Sequence, residues 1–423
     1  MRTGHLWFVP FTCLSALAAW ACQAPERDFA DFSGDDKDDA DAGGAPGDSD
    51  GTGGSSWTVS APTTGLVVLG AETTDGERVL SVLSASNGQE LLREPLRTAA
   101  LAYDEKRFRW YVFTAAQFPA AQDGTADLEV REYSDEFREW RTVGKATALP
   151  PPIPGGVVVL NDRLVYLSYE VVADVPVTSL TLLDISDPTD IVQLDSRTPG
   201  TDRVFVGVAG ARGSDVDPEA SGGRVKVMAS QNCTGTDCEL HVQPLSVGNT
   251  LVNGVGFASG TYTGTPRFAP SGDEDTFFTA LRQVSPSRLA VFPVSTAAGT
   301  VLSFPADWTG SAVAGFGVLK CSDAAVVALS DDQRLAVLDL NSSNVDSVDL
   351  GHTGEFVAVE PFTKSAIAFR SGLPADEAHL SSFQIERLSS TTLSIAQRST
   401  WQPPVDLVPQ TVATRLPESA DCP

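Results

Sequence analysis

The feature that most constrains the fold of this chain is a short apolar unit that recurs seven times at spacings of 45 to 60 residues. Most of these units place apolar residues on both sides of a central residue, as expected for part of a β-strand. The units are Leu80–Val82, Leu128–Val130, Leu180–Leu182, Leu240–Val242, Leu289–Val291, Leu335–Val337 and the weaker Leu380–Ser382. A period of this length is typical of repeat architectures in which every repeat supplies one supersecondary element.

Each unit belongs to a set of four predicted strands. A polar turn and a second apolar run follow the unit, as in Leu335–Leu340, then residues 341–344, then Val345–Leu350, which predicts a hairpin. Two further apolar runs precede it, as in Val313–Leu319 and Ala325–Leu329. Four strands in every repeat, seven times over, predict an all-β chain folded as a seven-bladed β-propeller.

The first and last repeats predict how the ring closes. The first repeat lacks its leading strand, because Gly65–Leu69 already matches the second strand of the others, and a spare strand remains at about Val405–Thr414. We expect this C-terminal strand to complete the first blade as its innermost strand, which removes an open sheet edge. Two compact domains with a boundary near residue 200 are the structural alternative.

Two of the repeats resemble known propeller repeats. Leu338–Leu340 with Val348–Gly354 and Val357–Pro361 is similar to the junction between a hairpin and the next blade in YVTN-type and WD40-type repeats. Leu183–Pro188, with the sequence LDISDP, resembles an LVIVD-type repeat. The resemblance implies a propeller fold and no particular activity, because propellers carry many unrelated functions.

Composition narrows the class of protein further. The 423 residues are 42% hydrophobic and include 20 Phe, which supplies a large core and excludes a fully disordered chain. The chain has 29 Lys and Arg against 55 Asp and Glu, for a net charge of −26. Because this charge repels phosphate, nucleic acid is not expected as a partner.

The first 21 residues have the pattern of a secretory signal peptide. A basic start precedes an apolar run over residues 6–21 that is too short to span a bilayer as a stable helix. Its end, AWAC at residues 19–22, resembles the lipobox of bacterial lipoproteins. The resemblance implies that Cys22 is acylated and becomes the first mature residue, and Gln23 in place of an inner-membrane retention Asp implies the outer membrane. Ordinary cleavage after Ala21 is the alternative.

The segment 22–56 is predicted to be a disordered acidic tether. It holds ten acidic and two basic residues among Gly, Ser and Ala. Such a segment cannot bury enough apolar surface to offset its ordering entropy, and its like charges keep it extended. The predicted organisation is a signal peptide over 1–21, the tether over 22–56 and the propeller over 57–423.

Four further cysteines predict two disulfides in an oxidising compartment, although three pairings are possible. Cys233 and Cys238 enclose four residues that turn easily, which favours a bond within one connection. Cys321 ends the predicted inner strand of the sixth blade and Cys422 follows the closing strand, so we expect both on one face. The alternative for the first pair is half of a metal site, which no second CxxC or nearby His pair completes.

The sequence carries no motif that marks an enzyme. The GxSxG, HExxH, P-loop and dinucleotide-binding glycine patterns do not occur. We therefore expect no catalytic residues, no metal and no cofactor. The alternative is a propeller hydrolase or lyase with a metal in the central channel, whose candidate ligands are Glu355, Glu360 and Asp162 at predicted strand ends.

Loop lengths indicate where binding would occur. In a propeller, the loops from second to third strand and from fourth strand to next blade share one face, and the long predicted loops belong to this set. They are Ala116–Asp127, Val171–Ser179, Gln231–Glu239, Asn253–Gly264, Pro305–Ser311 and Ser371–His379. The candidate binding residues of this long-loop face are Phe118, Phe257, Tyr262, Trp308 and Trp401. Aromatic residues on a rigid scaffold are typical anchors for partners, and the alternative is that they shield blade edges from water.

These features predict an outer-membrane lipoprotein of the bacterial cell envelope, or a secreted protein if Cys22 carries no lipid. Its expected role is to bind or scaffold a protein, peptide or glycan through the long-loop face. The alternatives are the propeller enzyme and a purely structural envelope protein without a small ligand.

Overall fold

A computed structural model describes residues 65–104, 107–115, 124–160, 162–172, 175–199, 203–211, 224–234, 237–253, 257–270, 277–283, 288–293, 302–303, 313–329, 333–342, 344–351, 356–359, 364–370, 379–389, 392–402, 404 and 406–416. In these ranges the protein consists of β-strands, turns and one 3₁₀ turn, Lys320–Ser322. None of the described helical structure is long and apolar enough to cross a membrane. The predicted signal peptide, Cys22 and the tether lie outside the described residues.

Twenty-eight strands follow one another along the described chain. They are β1 (Leu66–Thr73), β2 (Arg78–Ser84), β3 (Glu90–Glu94), β4 (Thr98–Asp104), β5 (Arg109–Ala115), β6 (Ala126–Ser134), β7 (Glu139–Leu149), β8 (Pro152–Leu160), β9 (Arg163–Val172), β10 (Val175–Asp184), β11 (Val192–Arg197), β12 (Arg203–Ala211), β13 (Arg224–Thr234), β14 (Asp237–Val247), β15 (Leu251–Asn253), β16 (Phe257–Pro270), β17 (Phe277–Gln283), β18 (Arg288–Pro293), β19 (Leu302–Ser303), β20 (Val313–Leu319), β21 (Ala324–Leu329), β22 (Arg334–Asp339), β23 (Val345–Asp349), β24 (Phe356–Val359), β25 (Ser365–Arg370), β26 (His379–Ser389), β27 (Thr392–Trp401) and β28 (Leu407–Arg415).

The strands form six sheets of antiparallel neighbours. The first sheet has the order β28-β1-β2-β3, the second contains β4–β7, the third β8–β11, the fifth β20–β23 and the sixth β24–β27. The fourth sheet is larger, with the order β12-β13-β14-β16-β17-β18-β19 and with β15 paired to β14. The seven repeated units of the sequence lie in β2, β6, β10, β14, β18, β22 and β26. In each separate four-stranded sheet, the unit therefore occupies the third strand.

Residue type determines where a strand lies within its sheet. First strands such as β4 (TAALAYD) and β20 (VAGFGVL) consist largely of small and apolar residues, and every side chain in them is buried. Fourth strands such as β7 and β23 carry charged residues at regular intervals and are largely exposed. A strand covered on both faces has to be apolar throughout, whereas an edge strand keeps one face in water.

The first strands of successive sets lie side by side. β28 contacts β4, and contacts continue from β4 to β8, β8 to β12, β12 to β16, β16 to β20 and β20 to β24. β24 in turn contacts β28, so the series returns to the strand from which it began.

The last strand pairs with the first. β28 runs antiparallel to β1, with Leu66 opposite Arg415 and Thr73 opposite Leu407, and the register shifts between Gly70 and Ala71. Gly70 lies at a crowded place, since a Cβ added there would lie 2.7 Å from Thr411 Cγ2 and 2.8 Å from Thr98 Cβ. Glycine is therefore required where β1 and β28 of the first sheet meet β4 of the second.

The hydrophobic core lies between neighbouring sheets. Phe113 of the second sheet meets Tyr166 of the third, with ring centroids 4.9 Å apart. Between the first and second sheets, Leu66 shares a cluster with Trp110 and Tyr133. Burying a large apolar side chain stabilises the fold by about 1.5–3 kcal/mol, so these clusters hold the sheets against one another.

Three of the predicted long loops are strands. β9 continues to Val172 and β10 begins at Val175, so the expected loop 171–179 is a tight hairpin. The segments 231–239 and 253–264 are likewise occupied largely by β13, β14 and β16. In the first case three hydroxyl groups lie together inside the ladder: Ser168 Oγ lies 2.8 Å from Ser179 Oγ and 2.9 Å from Thr181 Oγ1, and all three are buried.

We predict that Gly70→Ala lowers the free energy of unfolding by about 1–3 kcal/mol, because the added methyl group overpacks the contact with Thr411 and Thr98. Urea denaturation of the two proteins measures the difference. Gly248→Ala is the matched control, since a Cβ at Gly248 meets no atom within 4 Å, and it should change stability by less than about 0.5 kcal/mol. Equal stability of the two variants would contradict the prediction.

Candidate functional site

The predicted aromatic binding residues do not form one exposed surface in the described structure. Tyr262 lies within β16, is 1% exposed and packs in the cluster that contains Leu240 and Val242. The expectation that Tyr262 lies on an exposed loop was therefore wrong, because the segment around it pairs with β14 and β17. Phe257 begins β16 instead of lying in a loop. Phe118 and Trp308 lie outside the described residues.

Trp401 is half-buried and joins the sixth sheet to the first. It ends β27, and a Cβ added to Gly88 would lie 1.6 Å from Trp401 Cδ1. Gly88 also has a φ of 69°, a backbone conformation that favours glycine. The indole thus packs directly on the turn after β2, in a cluster with Val67 and Leu69. This contact gives Trp401 a structural role, which was the alternative reading of the aromatic set.

An arginine–aspartate pair joins the fifth and sixth sheets. Arg387 of β26 donates to both Asp339 carboxylate oxygens, at 2.8 and 3.2 Å, and also to the backbone carbonyl of Ser322. Asp339 is 1% exposed and accepts further hydrogen bonds from the Asn341 amide and the Ser342 hydroxyl. Burial raises the pKa of Asp339, but the hydrogen bonds, from Arg387 first, outweigh it and bring the pKa to about 2.

A second arginine, Arg107, joins the second and third sheets. Arg107 donates to Asp104 at 3.0 Å and also binds Asp162 on the turn before β9. Asp104 is buried, whereas the Asp162 side chain is 54% exposed. Asp162, a candidate ligand of a channel metal, is therefore placed at the surface in an ion pair. Glu355 and Glu360 lie outside the described residues.

Two further ion pairs lie at the two ends of the ladder that joins β1 to β28. Arg415 donates to both oxygens of Asp135, at 2.7 and 2.9 Å, which ties the end of β28 to the turn after β6. At the other end, Arg93 binds Asp406 and Glu90, and the hydrogen bond from Arg93 lowers the pKa of Asp406. Both ends of the last strand are thus held by arginine.

The resolved pKa shifts of described carboxylates and tyrosines all move away from neutrality. Burial raises the pKa of Tyr111, Tyr133 and Tyr169. Hydrogen bonds from Thr189 lower the pKa of Asp187, as those from Arg93 and Arg387 do for Asp406 and Asp339. None of these shifts brings a pKa towards neutral pH, where a general acid or base works best. Among the described residues, no three His, Cys, Asp or Glu side chains are grouped as a metal site requires.

Four large apolar side chains are exposed among the described residues, and one of them is Val204, at 42%, within β12. Leu388 is 65% exposed at the end of β26, and Val192 and Phe137, at 47% and 39%, lie at the turns between the third and fourth strands of their sheets. In β26, Ile385 is buried. Glu386 and Leu388 occupy alternate positions on the other face of the strand, which is polar at Glu386. The loop-length criterion did not select Leu388, because it considered only the loops from second to third strand and from fourth strand to the next blade.

The comparisons bear on the fold. No protein-family model matches the sequence, and no curated protein sequence matches it. Among solved structures, the chain is similar to a protein from Lactobacillus plantarum, with 15% identity, 84% of this chain and 99% of that chain covered, and a TM-score of 0.55.

Two further neighbours match less closely. A periplasmic gluconolactonase from Pseudomonas aeruginosa has 14% identity, 82% and 98% coverage of this chain and that chain, and a TM-score of 0.48. The β-propeller domain of the Trilobed protease from Pyrococcus furiosus has 9% identity, 79% and 94% coverage, and a TM-score of 0.46. At such low identity a likeness concerns the fold alone. The β-propeller fold rests on the described sheets themselves, whose first strands lie side by side in a series that returns to its start.

We predict that Asp339→Asn lowers the free energy of unfolding at neutral pH by about 1–3 kcal/mol, because Arg387 loses a charged acceptor. The pKa of Asp339 is depressed in the folded protein, so its stabilising effect is present above the unfolded pKa and is lost as pH falls from about 4 towards about 2. The difference between wild type and variant should therefore shrink over this range, as measured by denaturant unfolding at each pH.

Asp346→Asn is the control for this prediction, because Asp346 is exposed on the outer strand β23. It should leave stability unchanged within about 0.5 kcal/mol at every pH. A difference between wild type and Asp339→Asn that stays constant down to pH 2 would contradict the assignment.

Proposed function

We propose that the protein is a seven-bladed β-propeller that is anchored in the bacterial cell envelope and binds another protein there. Seven blades are supported by the twenty-eight described strands and by the contacts of first strands, which return to their start. In this proposal the fourth sheet combines two blades, β12–β15 and β16–β19. β14 pairs with both β15 and the beginning of β16, which accounts for their continuity.

Closure of the ring by the last strand is part of the same proposal. It is supported by the register between β28 and β1 and by the two arginine pairs at the ends of β28. Without β28, the first sheet would present β1 as an open edge next to the second and sixth sheets.

The observation that carries the binding function is the exposure of Leu388 on a rigid support. Its neighbour Arg387 is fixed by Asp339 and by the carbonyl of Ser322, so the end of β26 that bears Leu388 is tied to the fifth sheet as well as to its own. Binding residues are commonly displayed on turns that a rigid scaffold positions. Burial of aliphatic surface favours association with a protein, so the proposed partner is a protein with an apolar patch. The recognition surface then lies at a turn between third and fourth strands, not on the long-loop face.

The proposed location in the cell envelope is supported by the sequence alone. The lipobox-like residues 19–22 support acylation of Cys22, and the acidic segment 22–56 provides the distance between membrane and propeller. Two acyl chains or more would make the anchoring stable. An oxidising envelope also suits the two proposed disulfides.

The positions of the cysteines support these disulfides. Cys233 in β13 and Cys238 in β14 lie on paired strands, between the opposed positions Gln231–Glu239 and Thr234–Asp237. Cys321 lies in the 3₁₀ turn after β20, and Cys422 follows the end of β28 by a few residues. In the proposed propeller, the ends of β20 and β28 are expected on one face, as the sequence predicts.

We expect mass spectrometry of the protein purified from its native membrane to find an acylated Cys22 and the pairs Cys233–Cys238 and Cys321–Cys422. Peptide mapping without reductant identifies the pairs, and the intact mass identifies the lipid. Four thiols that alkylate without reduction would contradict the disulfides, and an unmodified N-terminal Cys22 would contradict the anchor.

A photo-reactive amino acid at position 388, in cells that contain the full chain, tests the binding function. We expect a discrete protein adduct from position 388, because Leu388 is placed at the contact. We further expect Leu388→Asp to reduce co-purification of that protein at least about tenfold, equivalent to about 1.4 kcal/mol, whereas Leu388→Ile keeps most of it.

The matched control places the same photo-reactive group at Arg398, which is exposed on the outer strand β27. No discrete adduct is expected there. Identical adducts from both positions, or none from position 388, would contradict a recognition surface at this turn.

A further inference from the structure

Two buried threonine hydroxyl groups lie where β28 of the first sheet meets β4 of the second. Thr411 of β28 is 1% exposed, and Thr98 of β4 is 4% exposed. Neither hydroxyl oxygen has a hydrogen-bond partner among the residues that the structure describes. A buried hydroxyl group without a hydrogen bond is costly, and buried polar groups in folded proteins are nearly always bonded to the protein or to an ordered water.

The two threonine side chains are immediate neighbours, although 313 residues of chain separate them. A Cβ added to Gly70 would lie 2.7 Å from Thr411 Cγ2 and 2.8 Å from Thr98 Cβ. Both side chains therefore border the same small volume beside Gly70. The unpartnered hydroxyl groups of two sheets are thus brought to a single place, the joint between β1, β28 and β4.

Each strand is also irregular beside its threonine. In β28, the residue before Thr411 is Gln410, which has no opposite residue on β1. In β4, the residue after Thr98 is Ala99, which has no opposite residue on β5. A bulge of this kind disrupts the ladder locally and leaves the extra residue unpaired. The two bulges therefore offer polar backbone groups next to the two hydroxyl groups.

We propose that an ordered water molecule occupies this joint and bonds the hydroxyl groups of Thr98 and Thr411 together with backbone groups of Ala99 and Gln410. A buried water typically makes two to four hydrogen bonds, and a hydroxyl group can both donate and accept. The water links β28, which closes the first sheet, to the first strand of the second sheet. It is present whether or not the protein binds a partner.

A double-mutant cycle in the full chain, measured by urea denaturation, tests this proposal with Thr98→Val and Thr411→Val. Each change keeps the branched shape and removes one hydroxyl group, so a shared water loses a partner in either variant. We expect each single change to lower the equilibrium constant for folding at least about fivefold. The double variant removes both hydroxyl groups, and its loss should be at least about fivefold smaller than the product of the two single losses.

Thr181→Val is the matched control, because Thr181 is a buried threonine of the third sheet whose hydroxyl lies 2.9 Å from Ser168 Oγ. Combined with Thr98→Val, its effect should multiply to within about twofold. The proposal is overturned if Thr98→Val and Thr411→Val leave stability unchanged or raise it, as removal of a hydroxyl without any partner would. It is also overturned if their effects simply multiply.

A crystal structure of the full chain that resolves ordered waters distinguishes a shared water from a direct bond, since both would couple the two hydroxyl groups. The expected result is one water within about 3.2 Å of both Oγ1 atoms. Hydroxyl groups that bond each other or nearby carbonyl groups, with no water between them, would overturn the proposal.

Discussion

The rest of the structure depends on one antiparallel ladder, the pairing of β28 with β1. This ladder joins residues that are more than 300 positions apart in the chain, and it places β28 between the first strands of the second and sixth sheets. The entropy of closing so long a chain grows only slowly with length, so a ladder with two anchored ends can offset it. Arg93 with Asp406 holds one end, and Arg415 with Asp135 holds the other. The contact at Gly70, where no Cβ fits, shows how closely β1, β28 and β4 approach one another.

Arginine–carboxylate ion pairs recur where neighbouring sheets meet. This recurrence indicates that these charged residues hold sheets together. Arg387 with Asp339, Arg107 with Asp162 and Arg415 with Asp135 each connect two sheets. A buried charge is costly when it is unpaired, so such pairs specify which sheet meets which more than they add stability. In one of these pairs, burial raises the pKa of Asp339, but the hydrogen bonds from Arg387 help to bring it down to about 2. The ion pairs form a rigid support, and the exposed Leu388 stands on it.

The repeat was the part of the fold that sequence could predict. The leucine-led units are strands, a C-terminal strand was expected near 405–414, and the described strand runs over Leu407–Arg415. The loop expected over 171–179 could not be recognised as strand from the sequence, because only the structure shows that Val172 pairs with Val175 and that Ser179 is buried against Ser168. Arg387 and Asp339 are 48 residues apart, and only the packing of two sheets makes them partners. Leu388 could have been noticed as an apolar residue on a polar face, whereas the burial of Tyr262 depends on the strands that β16 joins.

A crystal structure of the chain from residue 57 onward, at a resolution that shows side chains, tests the central claim most directly. The account predicts seven four-stranded blades around one axis, with Leu407–Arg415 as the innermost strand of the first blade beside Leu66–Thr73. Two separate domains divided near residue 200, or a C-terminal strand paired anywhere other than with Leu66–Thr73, would contradict it.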